Sequence, residues 1–559
     1  MYQKMYIIHC LSIESYAKRM ILGSVAVLLS SVFADAAVLY LGDYTDSTAK
    51  VAIAPEVSDI GSLSIDGESS ISTTDRIVIG QNGFGEAFMD DEAQFVSDKF
   101  FVGQNEFGEG ELTALGQSSI SAVDIYVAYE TGSEGTITLL EAASVSASYN
   151  LIIGNASKGS LIMGDNSQAE ATASIFIGPN GSGTLEADGY ASFISEQFTI
   201  ASGNSGTGVV NLSENVTVTA REDVKIGVNG SAVMNLSDNV KIDATDDVYI
   251  GYSGEGEWNV TGSAIVTAGD DITLGRNSGS RGVATISDNA SVSSGYFIVG
   301  DEGYGEVHVS DNATLNVSQG AYIGLFEEGS LSFFSGGTGQ FDSVNLGYEG
   351  GVGTLSVDGV NTVVGVSNSI IVGWGVEDEG AVGNINLGRG GRIEIDETGL
   401  GISFALEQYD VANISFTIGD NGAGVVDSGT ISTPNLGLGT VYNSYTEAFT
   451  ETLGTVTLSI LLDEGTALSK GDTFVLIEYG MWDGHTFDNV SNGSTLTVDD
   501  YIFMIKYDDQ ISDGLRAITA TVIPEPTNFA LWVSWGIVSL VMAGRRLNTR
   551  HVITFVVCH

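Results

Sequence analysis

The chain repeats a short pattern in which two apolar residues flank a variable one and a small residue follows. We call these small residues anchors, and consecutive anchors are 23 to 26 residues apart. The thirteen anchors are Gly80, Gly103, Ala128, Gly154, Gly178, Ala201, Gly227, Gly251, Gly275, Gly300, Gly324, Gly347 and Gly373. The residues one and three positions before each anchor are apolar, whereas the residue two positions before it varies. This period of two predicts a half-buried β-strand before each anchor rather than a helix.

A second strand is predicted after each anchor, as in GEGEWNV at Gly254–Val260. Gly-x-Gly turns the chain there, and apolar residues then alternate with polar ones. An Asp-Asn turn often follows, as in SDNV at 237–240 and SDNA at 287–290 and 310–313, because these residues tolerate left-handed backbone angles. A third strand then leads to the next anchor. Each unit of about 24 residues therefore holds two or three short strands.

Units of this kind bury their apolar face only when they stack. The repeat therefore predicts an all-β fold, a single-stranded right-handed parallel β-helix of about 13–16 rungs over residues 37–435. A β-propeller is disfavoured because each blade needs about 40–45 residues. VAIA at 51–54 indicates an earlier, degenerate rung, and FTIG at 416–419 indicates a later one after a disturbed rung. Residues 436–521 lose the period, and we expect them to form a small β-rich domain that caps the open end.

The strong negative charge of the chain limits the kinds of molecule that it can bind. Residues 35–525 carry 14 Lys and Arg against 70 Asp and Glu, a formal charge of −56. A surface this negative repels nucleic acid and anionic lipid headgroups, and its simplest interpretation is a solvated acidic coat. Cys10 and Cys558 lie near the two termini, and no cysteine lies between them. Disulfides therefore do not hold the body together.

The N-terminal residues 1–36 have the pattern of a signal peptide for export. Lys18 and Arg19 precede an apolar run at Met20–Phe33, and small residues including Ala34 and Ala36 follow it. Fourteen residues are short for a membrane span, which needs about 20. An uncleaved membrane anchor is the alternative.

The C-terminal segment 522–546 combines three ordered features. Pro524, Glu525 and Pro526 precede an uncharged run at 529–543, and Arg545 and Arg546 follow it. The run predicts a short transmembrane segment with its basic residues on the cytoplasmic side. The arrangement resembles the PEP-CTERM sorting signal of Gram-negative bacteria. Residues 547–559 form an atypical tail, since tails of that family end soon after the basic cluster.

The resemblance to PEP-CTERM proteins implies a location at the cell surface and two partners, a processing enzyme and exopolysaccharide. Members of the family are thought to be cut at the motif by an exosortase-type membrane enzyme, and exopolysaccharide production usually accompanies the system. An ordinary anchor that is never cut is the alternative for the tail. The rungs also resemble passenger repeats of autotransporters, which implies extracellular display and a β-helix. We therefore expect a non-catalytic protein at the cell surface or in the extracellular matrix, acting as a spacer or adhesin after a transient stay in the inner membrane.

An enzyme is the competing class, because polysaccharide lyases and glycosidases also use parallel β-helices. Such chemistry needs clustered carboxylates or basic residues on adjacent rungs. The body holds two histidines, His308 on an outward strand position and His485 in a predicted loop, and no GxSxG, HExxH or P-loop motif. A secreted polysaccharide-degrading enzyme, a lyase or a glycosidase, remains the alternative function.

One acidic constellation is periodic. Three carboxylate pairs precede successive anchor strands at intervals of 24 residues, and we call them the acidic ladder: Glu222-Asp223, Asp246-Asp247 and Asp270-Asp271. Stacked rungs would bring them together. Three interpretations stay open, namely tolerated turn residues, a divalent-cation site and a glycosidase-like carboxylate pair. We expect no cofactor and at most weak Ca²⁺ binding, because no Asp-x-Asp-x-Asp-Gly or GGxGxD spacing is present.

Overall fold

The structure is a computed structural model of the 559-residue chain. It describes residues 37–40, 44–45, 51–56, 59–375, 380–404, 409–420, 426–438, 440–443, 448–451, 454–512 and 515–524. These residues form an all-β solenoid of about 14 parallel coils, and they contain no helix. The predicted stack of β-strand units is thereby confirmed.

Each coil has three faces, and we number them from the strand that follows an anchor. First-face strands are Ala37–Tyr40, Ile60–Ile65, Phe84–Met89, Glu109–Ala114, Glu134–Leu139, Lys158–Met163, Ser182–Ala187, Thr207–Leu212, Ser231–Leu236, Glu255–Val260, Arg281–Ile286, Tyr304–Val309, Glu328–Phe334, Val352–Asp358, Val382–Gly388, Val411–Asp420 and Thr455–Leu462. Second-face strands are Tyr44–Thr45, Ser70–Ser72, Gln94–Val96, Gln168–Ala171, Ser192–Ser195, Thr217–Ala220, Lys241–Ala244, Ile265–Ala268 and Arg392–Ile395.

The third face carries the strands that end at the anchors. Third-face strands are Val51–Ile53, Arg76–Ile79, Lys99–Val102, Ser174–Ile177, Gln197–Ile200, Val224–Ile226, Val248–Ile250, Asp271–Leu274 and Gly401–Phe404. In other coils one long strand covers the second and third faces together: Ser119–Val127, Ser144–Ile153, Ser291–Val299, Thr314–Ile323, Thr338–Tyr348, Val363–Trp374 and Thr430–Leu438. The bend between these two faces is therefore sharp in some coils and shallow in others.

Strand register follows the repeat. Val224 pairs with Val248, and Val248 pairs with Ile272, all in parallel. Because equivalent positions stack directly, inward apolar residues form columns that run from coil to coil. Ile226, Ile250 and Leu274 in one such column are completely buried. The core is thus shared between coils, and no coil buries its apolar face alone.

All thirteen anchors have left-handed backbone angles, with φ between 54° and 74°. The early rung predicted at 51–54 is confirmed, because Val51–Ile53 pairs with the third-face strand Arg76–Ile79 and Ala54 has a φ of 51°. Glycine suits this corner for a second reason. A Cβ on Gly251 would lie 2.2 Å from the backbone carbonyl oxygen of Arg281 in the neighbouring coil. Both the left-handed backbone angle and the close approach of the neighbouring coil therefore favour glycine at this position.

The later rung was predicted at the wrong place. Residues 416–419 belong to the strand Val411–Asp420, which pairs with the first-face strand Val382–Gly388. The third-face strand that follows Gly373 is instead Gly401–Phe404, since Ile370 pairs with Ile402. An alternating strand has the same sequence pattern on every face, so the pattern alone did not distinguish them.

The C-terminal strands combine parallel and antiparallel pairing. Thr455–Leu462 continues the first face in parallel, and Thr473–Trp482 pairs in parallel with Thr430–Leu438. Thr473–Trp482 also pairs antiparallel with Leu515–Ile523, which in turn pairs with Tyr501–Ser512. Four short strands complete the set, antiparallel in each pairing: Thr495–Val498, Thr440–Asn443 with Ala448–Glu451, and Val426–Asp427. Parallel stacking thus extends beyond residue 435, and antiparallel pairs occur both before and after the strand Thr455–Leu462.

Candidate functional site: carboxylates and rings at the coil corners

The predicted sorting residues lie almost entirely outside the described part of the chain. The undescribed part of the chain contains the predicted signal peptide, the predicted transmembrane run and four of the sorting residues: Glu525, Pro526, Arg545 and Arg546. Pro524 is described and exposed, directly after the strand Leu515–Ile523. Within the described residues no helix is long and apolar enough to cross a bilayer.

The acidic ladder lies at the bend between the second and third faces. The second carboxylate of each pair bonds to the next coil. Asp223 Oδ1 accepts the backbone N–H of Asp247 at 3.3 Å, and Asp247 Oδ1 accepts the backbone N–H of Asp271 at 2.9 Å. Asp271 accepts the backbone N–H of Tyr296 in turn. These carboxylates bridge adjacent coils by accepting hydrogen bonds from backbone N–H groups at the bend. Such bonds are stronger than neutral ones because the acceptor is charged.

A cation and an aromatic ring cover this ladder. Lys225 Nζ lies 2.8 Å from Asp223 Oδ2, with the two side chains 19% and 17% exposed. The hydroxyl of Tyr249 donates to Asp247 Oδ2 at 2.6 Å. Burial first, then the bond to Asp247, raises the pKa of the Tyr249 hydroxyl far above its usual range. Tyr249 therefore points outward, as its strand position predicted, yet it is packed rather than free.

The two members of a pair have different surroundings. Asp246 is exposed, whereas Asp247 and Asp271 are half-buried. Desolvation, followed by repulsion from Asp223, Asp247 and other carboxylates, raises the pKa of Asp246. Desolvation also leads the causes that raise the pKa of Asp271, with Asp247 and Asp270 adding to it. Carboxylate repulsion therefore contributes to both raised pKa values, and the Lys225 ammonium and the backbone N–H groups bonded to Asp223 and Asp247 oppose it.

The same carboxylates do not converge as metal ligands. Within the described ranges no three His, Cys, Asp or Glu side chains meet in a way that could hold a metal ion. One oxygen each of Asp223 and Asp247 is already bonded to a backbone N–H. The geometry accounts for the second member of each pair as a structural acceptor, which is the turn interpretation of the ladder.

A second carboxylate column, of which the sequence indicated only the Asp-Asn turns, lies at the turn between the first and second faces. There a carboxylate of one coil accepts a backbone N–H of the preceding coil. The four bonds are Gly116 N–H to Glu141 Oε2 at 3.0 Å, Glu141 N–H to Asp165 Oδ2 at 3.2 Å, Glu214 N–H to Asp238 Oδ2 at 3.3 Å and Gly262 N–H to Asp288 Oδ2 at 3.0 Å. The left-handed angles predicted for the Asp-Asn turns are confirmed at Asp238, Asp288 and Asp311. These four carboxylates thus join adjacent coils at this turn.

The two histidines of the body lie apart from the ladder. His308 points outward, as predicted, and its Nε2 lies 3.1 Å from Glu306 Oε1. His485 lies in a loop, and its Nδ1 lies 3.3 Å from Asp483 Oδ2. Each ring therefore has one nearby carboxylate, a pairing that orients an imidazole at the surface.

Another ion pair was not foreseen. Asp301, whose side chain is 4% exposed, pairs with the guanidinium of Arg276 one coil earlier. Both residues directly follow an anchor, so aligning the repeats on their anchors could have placed them together. Burial raises the pKa of Asp301 and Arg276 lowers it, with burial the larger effect. The corner beside the anchors thus gathers charged and aromatic side chains from successive coils.

No family model, curated protein or solved structure matches the chain.

Proposed function

We propose that the chain is a non-catalytic exported protein of the cell surface or extracellular matrix, a rigid spacer or adhesin associated with exopolysaccharide. The observation that supports this most is the continuous stack of about 14 coils in the described residues. At about 4.8 Å per coil the stack extends roughly 65 Å. A shared core makes such a rod stiff and keeps its outward columns evenly spaced, which suits display rather than enclosure of a substrate.

Delivery in this proposal depends on the two terminal segments. Residues 1–36 direct export, and residues 522–546 hold the chain in the inner membrane of a Gram-negative bacterium as a transmembrane helix. An exosortase-type enzyme then processes the chain at Pro524, Glu525 and Pro526. Arg545 and Arg546 stay on the cytoplasmic side. The position of Arg545 and Arg546 directly after the apolar run supports this direction, because basic residues, rather than acidic ones, determine which end stays in the cytoplasm.

Two finer features of the fold belong to the same proposal. We assign the coil a right-handed sense, because crossovers between parallel strands are right-handed in about 98% of cases. We assign the strands after residue 435 the task of closing the open edge. Their antiparallel pairing supports this, since Leu515–Ile523 and Tyr501–Ser512 pair with each other rather than offering another parallel edge.

The test is replacement of Pro524, Glu525 and Pro526 by alanine in a host that carries the exosortase. The mature C-terminus is then located by mass spectrometry of surface and membrane fractions. We expect the parent to be shortened at the motif and the variant to stay full-length in the membrane. Alanines at Thr527 and Asn528 are the matched control. Identical processing of parent and variant would contradict the delivery mechanism, and the same assay without residues 547–559 tests whether the tail interferes.

The second candidate is a secreted polysaccharide-degrading enzyme. The raised pKa of Asp246 and of Asp271 favours it, because a general acid needs a carboxyl that keeps its proton at higher pH. Release of reducing ends or of unsaturated sugars from polysaccharides, lost in Asp246→Asn and Asp271→Asn, would favour the enzyme over the scaffold. Unchanged polysaccharide in the same assay favours the scaffold.

A further inference from the structure

A shallow groove of about 360 Å³ follows the bend between the second and third faces, immediately beyond the acidic ladder. Its lining includes Gly269, Ser293, Gly295, Asn316, Ser318 and Gln340. No charged residue lines it. In a body with a formal charge of −56, a groove lined by hydroxyl, amide and small side chains is a distinct chemical environment.

Irregular strands explain why the groove opens here. The register shifts between Ser294 and Tyr296, and again between Val317 and Gly320. The bend also requires residues without side chains. A Cβ on Gly269 would lie 1.8 Å from the carbonyl oxygen of Thr245, so the floor cannot be filled at that position. The groove is therefore a consequence of the backbone rather than of one side-chain rotamer.

A ladder of four aromatic rings adjoins the groove on consecutive coils. We call it the aromatic ladder, and it consists of Tyr296, Tyr322, Tyr348 and Trp374. The ring centroids are 6.3 Å apart for the first pair, 5.6 Å for the second and 5.1 Å for the third. Tyr296 is 37% exposed and the other three rings are partly exposed. Partly exposed aromatic side chains of this kind favour contact with a partner that is apolar on one face and polar at its edges.

The groove and the aromatic ladder belong to one surface. Tyr296 directly follows Gly295, a lining residue. A Cβ on Gly320 would lie 3.7 Å from the Tyr296 ring and 3.1 Å from Ser343 Oγ, so the ring lies across the glycine of the next coil. Hydroxyl and amide groups therefore run beside the rings, along the axis of the solenoid.

We propose that this surface binds an extended, uncharged polysaccharide lying along the solenoid axis. Sugar rings present C–H faces that pack on aromatic rings, and their hydroxyls bond to Ser, Asn and Gln side chains. An uncharged groove requires no counter-charge from the ligand, whereas the acidic body repels a polyanion. Coils about 4.8 Å apart repeat at nearly the spacing of sugars in a ribbon-like glycan. The inference deepens the proposed function and rests on it for the place where the protein meets polysaccharide.

The test is electrophoresis of the full-length chain through native gels that contain hydroxyethyl cellulose, glucomannan or alginate. We expect the two neutral glycans to retard the parent and alginate to leave it unretarded. The variant Tyr322→Ala/Trp374→Ala should bind about tenfold more weakly or worse, because removing a well-packed aromatic contact commonly costs this much. Gln340→Ala should weaken binding by a smaller factor.

Two controls keep the outcome clear. Tyr190→Ala removes an aromatic side chain that is 66% exposed and lies outside the aromatic ladder, so it should leave retardation unchanged. Tyr322→Leu keeps apolar volume if the alanine variant fails to fold, and it should still lose binding. Absence of retardation by both neutral glycans, equal retardation of parent and aromatic variants, or equal retardation by alginate would overturn the proposal. If the protein is processed and reaches the surface but does not bind the neutral glycans, only this inference is refuted. If it binds the glycans but is not processed at Pro524, Glu525 and Pro526, only the delivery mechanism is refuted.

Discussion

Asp247 Oδ1 accepts the backbone N–H of Asp271 at 2.9 Å, so a carboxylate of one coil holds the strand of the next. Asp247 also accepts the hydroxyl of Tyr249, whereas the adjacent Asp246 is exposed. Asp247→Ala should therefore cost about 1–3 kcal/mol, because it leaves a backbone N–H and a hydroxyl without their acceptor. Asp246→Ala should be neutral or stabilising, since it removes one repelling charge.

Thermal melts and hydrogen exchange measured by mass spectrometry check this difference. Faster exchange in Asp247→Ala should concentrate in the peptide that contains Asp271. Equal melting temperatures for the two alanine variants would show that the carboxylate–backbone bonds contribute little.

The stability of the acidic ladder should depend on pH. The pKa of Asp246 is raised above its ordinary value of 3.8, so the folded state holds that proton more tightly than the unfolded chain. The contribution is complete below the ordinary value and is lost as the pH rises through the folded pKa. We expect the melting temperature of the parent, relative to Asp246→Asn, to fall over that window and then to stay constant. Added salt should reduce the difference. A difference that does not change with pH would contradict it.

Calcium should have no more effect on the melting temperature than another salt at the same ionic strength. In the described residues no three carboxylates meet to hold a cation, and Asp223 and Asp247 are occupied by backbone N–H groups. Melts with Ca²⁺, with Mg²⁺ and with chelator measure this. A rise specific to calcium that disappears in Asp246→Asn/Asp270→Asn would instead support the cation-site interpretation of the ladder.

Inward and outward strand positions should differ in their tolerance of charge. Ile250 is completely buried, whereas Ile265 is 46% exposed on the strand Ile265–Ala268. Ile250→Asp should cost several kcal/mol, on the order of the penalty for an unpaired buried polar group, and Ile265→Asp should cost little. Tyr249→Asp should fall between them, because it loses the bond to Asp247 and adds a carboxylate beside it. Similar losses in all three variants would contradict the assigned faces.

The sequence predicted the solenoid because its information is local and repeated. Alternating apolar residues determine which side of each strand is buried, and thirteen small anchors mark the corners. The same logic failed at 416–419, where an alternating strand lies on the first face instead of the third. Alternation shows whether a side chain points into the core or outward, but it does not show to which of the three faces the strand belongs.

The candidate surfaces could be predicted less well, because they depend on neighbours one coil away. Tyr249 has an outward strand position, yet its packing comes from Lys225 in the preceding coil and from Tyr252 beyond the anchor. The hydrogen bonds between carboxylates and backbone N–H groups of adjacent coils likewise depend on how the turns of those coils are stacked. Aligning the repeats on the anchors shows two informative columns, two positions before the anchor and one after it, from which Tyr322 and Tyr348 could have been recognised.

The anchors allow natural glycine and natural alanine to be compared in one molecule. Gly251 has a φ of 69° and Ala128 has a φ of 58°, so both occupy the left-handed region. An L-residue there costs about 1–2 kcal/mol, while glycine loses about 0.5–1 kcal/mol of chain entropy on folding. Gly251→Ala should therefore destabilise the protein, and more than this balance alone indicates, because its Cβ would meet the carbonyl oxygen of Arg281.

The reverse change, Ala128→Gly, should leave stability unchanged or raise it by up to about 1.5 kcal/mol, since it removes the handedness cost and adds only the entropy cost. Gly251→Val should be worse than Gly251→Ala, because a β-branched residue is a stronger outlier at positive φ. Chemical denaturation of the three variants measures the order. A loss of stability in Ala128→Gly as large as that in Gly251→Ala would mean that the corner is held by side-chain contacts rather than by backbone handedness. The repeat would then depend on the apolar residues before each anchor and not on the anchor itself.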